Sequence, residues 1–233
     1  MDRFNISLAG VTVAVSSRHP YTKEACRSYE AAPDCQAAFT VEATEDQIAQ
    51  SVRDGALSEG YGEFICLHRQ IAEALPAYGA AVLHGAAITY EAAGILFMAP
   101  SGTGKSTHIR LWRQAFGQKV DIINGDKPLL RQGKLYGAPW AGKEGWQKNR
   151  HAPLKAICLL QQAAHNRIRR VKGKEILPRL MQQVYLPRDP EALQATLALV
   201  AGLVEQVPAY ILECNMSPEA AQVALDGMLE ALV

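Results

Sequence analysis

Residues 99–107 constrain the fold of this chain more than any other segment. They read Ala-Pro-Ser-Gly-Thr-Gly-Lys-Ser-Thr and lie between an apolar run, 94–98, and a helix-like stretch, 106–116. This order predicts a buried strand, a glycine-bearing loop and the start of a helix. Gly102 and Gly104 allow consecutive backbone N–H groups to converge on one point, and the helix N-terminus adds a positive partial charge there.

A loop of this kind is suited to hold the phosphates of a nucleotide. Lys105 offers a full positive charge to the β- and γ-phosphates, and Ser106 offers a hydroxyl to Mg²⁺. The pattern usually opens with glycine, and Ala99 stands in that place here. A turn that merely needs glycines is the alternative, but the strand before it, the helix after it and the position of the lysine favour phosphate binding. The predicted nucleotide-binding residues are Ser101, Gly102, Thr103, Gly104, Lys105, Ser106 and Thr107.

The composition argues against several other classes of protein. A formal net charge of +1 over 233 residues gives no reason to expect nucleic-acid binding. No run of about 18 apolar residues predicts a membrane span, and the N-terminal residues lack the apolar core of a signal peptide. The five cysteines are scattered, odd in number and without a Cys-x-x-Cys motif. We therefore expect reduced, mostly buried thiols in a cytoplasmic protein, and no zinc site.

The order of strand-like and helix-like segments predicts an α/β protein. We expect a small N-terminal α/β lobe over residues 1–56 and a nucleotide-binding, kinase-like domain over residues 57–233. Hairpins are predicted around residues 9–10, between segments 80–90 and 94–98, and at residues 132–133. Because hairpins are antiparallel, they favour a mixed sheet over a fully parallel one.

Two residues near the predicted loop are candidates for chemistry. Asp126 follows the strand-like segment 120–124, where a nucleotide site usually has a carboxylate for Mg²⁺ or its water; an ordinary turn aspartate is the alternative. His84 lies in the apolar segment that is expected to pair with the strand before the loop. Such a pairing would bring His84 near the phosphates, although a structural histidine is an equally good interpretation.

The loop 139–151 carries several charged residues, and a solvated loop is the simplest interpretation. Phosphoryl transfer, however, spreads negative charge over the transferred group, and a cation on a loop can neutralise it. Lys143, between Gly142 and Glu144, is the preferred candidate for that role.

These motifs follow one another in a recognisable order. His84-Gly85-Ala86 comes first, then the phosphate loop, then Asn124-Gly125-Asp126-Lys127-Pro128, and last Gly-Ala-Pro-Trp-Ala-Gly-Lys at residues 137–143. With these motifs the chain resembles the HPr kinase/phosphorylase and phosphoenolpyruvate carboxykinase superfamily, and more closely its small bacterial HPr-kinase-like proteins. The resemblance covers residues 80–160 well and the rest loosely.

The resemblance implies a mixed-sheet P-loop fold with ATP and Mg²⁺ as cofactors, and it allows a homo-oligomer. It implies that His84 lies beside the reacting phosphate and that Asp126 holds the metal or acts as a base towards an acceptor hydroxyl. The family usually carries paired acids at this point, whereas Asp126 is flanked by Gly125 and Lys127. The chain is also too short for the oxaloacetate domain of phosphoenolpyruvate carboxykinase, so decarboxylation is not expected.

Two functions remain open from the sequence. The first is an ATP-dependent phosphotransferase that moves the γ-phosphoryl group to a hydroxyl, on a serine of a small protein or peptide or on a small molecule. Lys105 would hold phosphate, Ser106 and Asp126 would position Mg²⁺, His84 or Asp126 would assist the acceptor, and Lys143 would neutralise charge. The second is a non-catalytic ATP-binding sensor, and the single acid is its best support.

Overall fold

The structure is a computed structural model that describes residues 1–32 and 34–232. It is an α/β fold with one small and one large β-sheet, both mixed in strand direction. The predicted α/β class and mixed sheet are thus confirmed. The predicted units 1–56 and 57–233 include Pro33 and Val233, which lie outside the described residues.

The small sheet is built from the N-terminal segment. Strands β1 (Asp2–Leu8) and β2 (Val11–Ser17) form an antiparallel hairpin, and β3 (Phe39–Glu42) pairs parallel with β2. The hairpin turn has positive φ at Ala9 (51°) and at Gly10 (77°). The turn predicted at residues 9–10 is therefore confirmed.

Three helices cover this sheet: α1 (Pro20–Cys26), α2 (Glu45–Arg53) and α3 (Glu59–Ala74). A reciprocal capping box between Thr44 and Gln47 starts α2, and the Ser58 side chain accepts a hydrogen bond from the first turn of α3. The apolar face of α3 packs against the sheet through Phe64, Leu67 and Ile71. The division predicted at residue 57 stays a prediction, but the helix that follows it shares the core of the N-terminal sheet.

A buried carboxylate fixes α3 in place. Glu63 is fully buried, and its oxygens accept hydrogen bonds from Ser17 Oγ (2.8 Å), Arg18 N (2.7 Å), His19 N (3.1 Å) and Thr22 Oγ1 (3.2 Å). Because these donors lie at the end of β2 and the start of α1, one side chain ties three elements together.

The large sheet contains nine strands: β4 (Ala80–Val82), β5 (Ala86–Tyr90), β6 (Ala93–Met98), β7 (Val120–Asn124), β8 (Leu129–Arg131), β9 (Lys134–Tyr136), β10 (His151–Gln162), β11 (Arg167–Val171) and β12 (Ala209–Cys214). Its main part runs β7-β5-β6-β10-β12-β11, with β6, β10 and β12 parallel. The first residues of β10 also pair with β9, which adds β9, β8 and β4. The strand β10 is long because its first residues pair with β9 and its later residues pair with β6 and β12.

Four further helices complete the fold: α4 (Lys105–Phe116), α5 (Gly173–Met181), α6 (Pro190–Gln206) and α7 (Glu219–Leu232). Helices α4 and α7 pack on one face of the large sheet and α5 and α6 on the other, so its central strands are buried on both sides. Across residues 1–32 and 34–232, no helix has the length and apolarity to cross a membrane.

One part of the large sheet differs from the sequence-based expectation. Within the segment 80–90, only β5 pairs with β6; β4 lies in a different part of the sheet, and His84 lies in the break between the two strands. The basic segment 167–171 is the outermost strand, β11, paired with β12. Its charged side chains face solvent at an edge strand, which a local pattern cannot distinguish from a loop.

Candidate functional site

Three strand ends meet at one edge of the large sheet. The start of β5 pairs with the end of β6 through Ala86 and Phe97, and with the end of β7 through Ala87 and Asn124. Since β5 runs antiparallel to both neighbours, its first residues lie beside their last ones. The segments that carry His84, the predicted phosphate loop and Asp126 therefore lie at the same edge of the sheet. The predicted pairing of the segment after His84 with the loop strand is thus found.

The loop after β6 has the backbone geometry that an anion cradle needs. Gly102 (φ 80°) and Gly104 (φ 111°) have left-handed backbones, and a Cβ at either position would meet nothing within 4 Å. Gly104 is the N-cap of α4, and its carbonyl accepts the His108 amide at 2.9 Å. The first N–H groups of α4 therefore point at the open side of the loop, where a phosphate can bind.

Lys105 begins α4 and is largely buried. Its Nζ donates to the Ala99 carbonyl at 2.7 Å and lies 3.4 Å from the Pro100 carbonyl. Burial lowers the pKa of the Lys105 ammonium; the Asp126 carboxylate acts to raise it and Lys127 to lower it further. The ammonium is therefore held against the loop within range of Asp126, partly removed from water, where an anionic ligand would compensate for its lost hydration.

Asp126 is paired with His84 at the same place. His84 Nε2 lies 3.3 Å from Asp126 Oδ1, and Lys127 Nζ lies 3.5 Å from Asp126 Oδ2. Burial acts to raise the pKa of the Asp126 carboxyl, but the His84 hydrogen bond and the Lys127 charge outweigh it, so this pKa lies below its usual value. Asp126 is thus ionised at neutral pH, as a metal ligand or an acceptor of a substrate proton must be.

Asn124 positions Asp126 and was not singled out from the sequence as a working residue. It is fully buried; its Oδ1 accepts the backbone N–H groups of Asp126 (2.9 Å) and Lys127 (2.7 Å). Its Nδ2 donates to the carbonyls of Ala138 (2.9 Å) and Trp140 (3.0 Å). One amide therefore shapes both the turn that carries Asp126 and the loop opposite it. The sequence signal that could have identified Asn124 is its position two residues before a candidate acidic residue.

The loop that carries Lys143 is attached at several points. Gly142 packs so closely on Asp126 that a Cβ there would lie 3.3 Å from the Cβ of Asp126. Further along, Glu144 pairs with Arg110 of α4 at 3.5 Å, and the Gly125 amide donates to the Trp146 carbonyl at 2.8 Å. Lys143 itself is exposed and lines the same cavity as Asp126.

The oxygen donors at this site would suit Mg²⁺, which needs few protein ligands, better than a metal that is held by protein side chains alone. Among the described residues there is no group of three or more histidine, cysteine or acidic side chains that could hold a metal. Mg²⁺ usually keeps several waters and takes one or two carboxylates together with substrate phosphates. Asp126 and the hydroxyl of Ser106 are the side chains that would hold it, and neutralising phosphate charge is what it would supply.

A smaller cavity of about 330 Å³ opens beside the phosphate loop, and Pro100 and Thr103 line it. Arg179 of α5 and Gln183 line it as well. Within residues 1–32 and 34–232, Arg179 Nη1 and Gln183 Oε1 are buried without a hydrogen-bond partner. A buried donor and acceptor in this state favour a polar ligand beside the loop. Sequence reasoning missed both residues, because α5 is distant from the loop in the chain.

The comparisons with known proteins give no relative for this site. No protein-family model matches the chain, and no curated protein matches it either.

Proposed function

We propose that this chain is an ATP-dependent phosphotransferase that moves the γ-phosphoryl group of ATP to a hydroxyl group, with Mg²⁺ as cofactor. The observation that carries the proposal is the meeting of the phosphate loop, Lys105 and the Asp126–His84 pair at one sheet edge. A loop alone would serve any phosphate ligand. A carboxylate beside it, kept ionised and paired with an imidazole, is what transfer to a hydroxyl requires in addition.

Each residue has a role in this proposal that follows from its chemistry. The loop amides and Lys105 bind the β- and γ-phosphates, and Ser106 with Asp126 would hold Mg²⁺. Asp126 also orients the acceptor hydroxyl, and His84 fixes the carboxylate and shares the proton that the hydroxyl releases. Because the transition state of phosphoryl transfer is loose, a weakly basic carboxylate is sufficient at this position. Lys143 and Arg179 are the cations for the developing charge, each from a different cavity near the loop.

The alternative is an ATP-binding module without catalysis, and the presence of one acid in place of two favours it. Both functions need the phosphate loop, but they differ in their need for Asp126. Substitution of Lys105 therefore tests nucleotide binding, whereas substitution of Asp126 tests transfer.

The test uses the full chain with Mg²⁺ and γ-³²P-labelled ATP. Lys105→Ala is expected to lose ATP binding in a calorimetric titration, whereas the exposed Lys134→Ala is expected to retain it. Asp126→Asn is expected to bind ATP but to transfer label to serine peptides, to small hydroxy compounds or to water at least about 100-fold more slowly. Asp226→Asn on the exposed face of α7 is the matched control. ATP binding without transfer or hydrolysis by the unaltered protein would establish the sensor instead.

A further inference from the structure

A large cavity lies between the N-terminal helices and the loop that carries Lys143. Its volume is about 910 Å³, within the range of small-molecule sites. Part of its wall is aromatic and is formed by Tyr21 of α1, Tyr61 and Phe64 of α3, and Trp140 of the loop. Charged side chains also line it, namely Asp126, Lys127 and Lys143. The cavity therefore offers both apolar contacts and two cationic groups to a single ligand.

Asp126 connects this cavity with the phosphate loop. Residues 99–107 do not line the cavity; Asp126 does, and its charge also acts on Lys105 of the loop. Asp126 is thus shared by the cavity and the surroundings of Lys105, so an acceptor in the cavity can approach a phosphoryl group held at the loop. Phosphoryl transfer needs such an approach, because the attacking oxygen must reach the transferred group from the side opposite the leaving oxygen.

A half-buried histidine in the cavity wall has a ring nitrogen without a polar partner. His68 of α3 lines the cavity 4.7 Å from the Trp140 ring, centre to centre. In the part of the chain that the structure describes, its Nε2 is buried without a hydrogen-bond partner. Burial, and then the Lys127 charge, lower the pKa of His68 to about 4, so the ring is neutral at pH 7. A neutral imidazole can exchange a hydrogen bond with a hydroxyl, amide or carboxyl group of a ligand.

We propose that this cavity binds the phosphoryl acceptor, and that the acceptor is a hydroxyl compound with an apolar or aromatic body and a negatively charged group. The inference rests on the proposed function. The aromatic wall contacts the body of the acceptor, Lys127 and Lys143 face its negative group, and Asp126 receives its hydroxyl. Leu57 lines the cavity and is 93% exposed, and binding of the acceptor buries part of its side chain.

In the transfer step the acceptor oxygen forms a bond to the γ-phosphorus. The bond between that phosphorus and the oxygen bridging to the β-phosphate breaks, and ADP leaves with this electron pair. The hydroxyl proton passes to the Asp126–His84 pair and then to solvent. The products are a phosphate monoester, ADP and one proton, so no oxidant or other co-reactant is needed.

Two probes represent the two sources of such an acceptor. One is the peptide acetyl-Phe-Ser-Glu-amide, and the other is 3-phenyllactate, which carries a ring, a hydroxyl and a carboxylate. Each is titrated into the full chain saturated with AMP-PNP and Mg²⁺, and each is offered as acceptor for γ-³²P-labelled ATP. At least one probe is expected to bind and to take up label, and the arm that succeeds distinguishes a peptide from a small-molecule acceptor.

The variants Leu57→Ser and His68→Leu test whether this cavity is the binding site. Each is expected to raise the KM for the successful probe about fivefold or more while kcat changes less than about twofold, since they remove binding contacts only. Met216→Ser, at a side chain 79% exposed elsewhere, is the control for Leu57→Ser and is expected to leave KM unchanged. Circular dichroism verifies that each variant is folded.

Two results would overturn the inference. One is an unchanged KM in both folded cavity variants, and the other is no binding of either probe to the nucleotide-loaded protein. Failure of the proposed function would appear in a separate measurement. The unaltered protein, without any probe, would then neither bind nor hydrolyse ATP.

Discussion

Asn124 has the widest structural role of any single side chain at the site. It is a neutral amide in a fully buried position, with two donor and two acceptor contacts to backbone atoms of two separate segments. A buried amide with all its hydrogen bonds made defines one backbone arrangement, because any other arrangement leaves polar atoms unsatisfied. The acid next to it is therefore positioned before any ligand arrives.

Replacing Asn124 by alanine is expected to lower the free energy of unfolding by about 3 kcal/mol, since the substitution leaves buried N–H and C=O groups without partners. Urea unfolding followed by circular dichroism measures the change. Asn149→Ala is the matched control, because this exposed side chain makes one hydrogen bond, to the Ser28 carbonyl at 2.6 Å. It is expected to lose less than about 1 kcal/mol. Equal losses in the two variants would contradict the role assigned to Asn124.

Among the elements, α4 joins the phosphate loop to the core. His108 and Trp112, one turn apart on its buried face, are linked by a hydrogen bond from Trp112 Nε1 to His108 Nε2 of 2.9 Å. Burial lowers the pKa of His108 to about 4. The imidazole is therefore an uncharged acceptor in the fold, and its protonation opposes the packing of the whole helix.

This helix makes stability depend on pH. The folded pKa of His108, about 4, is below the unfolded value of 6.5, so the unfolded chain binds the proton more tightly. The stabilisation is complete above pH 6.5 and is lost as the pH falls from 6.5 towards 4. Between pH 7 and pH 5 it amounts to about 2 kcal/mol for one histidine.

Urea titrations of the unaltered protein and of His108→Gln at pH 7 and pH 5 measure the contribution of His108 to this pH dependence. The glutamine can accept the Trp112 hydrogen bond but does not titrate, so the loss between pH 7 and pH 5 is expected to be about 2 kcal/mol smaller in the variant. His68, with a similar shift, contributes equally to both proteins. Gln114→Ala, at an exposed and non-ionisable position of the same helix, is expected to leave the pH dependence unchanged. An identical pH dependence in His108→Gln would refute the assignment.

At the scale of the whole molecule, the small sheet and the large sheet share one hydrophobic core cluster. It contains Val13 and Ile71 from the N-terminal part and Val82, Leu129 and Trp140 from the remainder. Hydrogen bonds cross the same boundary, from Trp140 Nε1 to the Phe64 carbonyl and from Arg131 Nη1 to the Ala9 carbonyl. The acceptor cavity proposed above lies along this boundary, so its shape depends on both sheets.

We expect the chain to unfold in one cooperative transition, because separating the two sheets would expose this common core. Urea unfolding is followed by far-ultraviolet circular dichroism and by tryptophan fluorescence, and the two midpoints are expected to coincide. Arg131→Ala removes the hydrogen bonds to the carbonyls of Tyr78 and Ala9. It is expected to lower the free energy of unfolding by about 1–3 kcal/mol and to lower both midpoints together. The exposed Arg3→Ala is the control. Separate midpoints would show that the N-terminal lobe unfolds independently.

Local patterns in the sequence predicted much of this protein. The strand, glycine-bearing loop and helix around residues 99–107, the hairpins and the α/β class are encoded by residues close together in the chain, so propensity and periodicity suffice to find them. The adjacency of the His84 segment to the loop strand also followed, because a hairpin connects them. Nucleotide binding and phosphoryl transfer remain proposals, since sequence patterns specify residue types and not the reaction.

Tertiary structure alone decided the rest of the site. Arg179 of α5 and Gln183, just after that helix, line the cavity beside the loop, and His68 of α3 lines the larger cavity, each across many intervening residues. Nothing near these side chains in the chain marks them, because their role depends on which elements pack together. The sequence by itself determined the glycine-bearing loop between β6 and α4, since its shape is set by consecutive backbone groups. Only the packing of the two sheets determined what faces it, because that side of the site is assembled from distant segments.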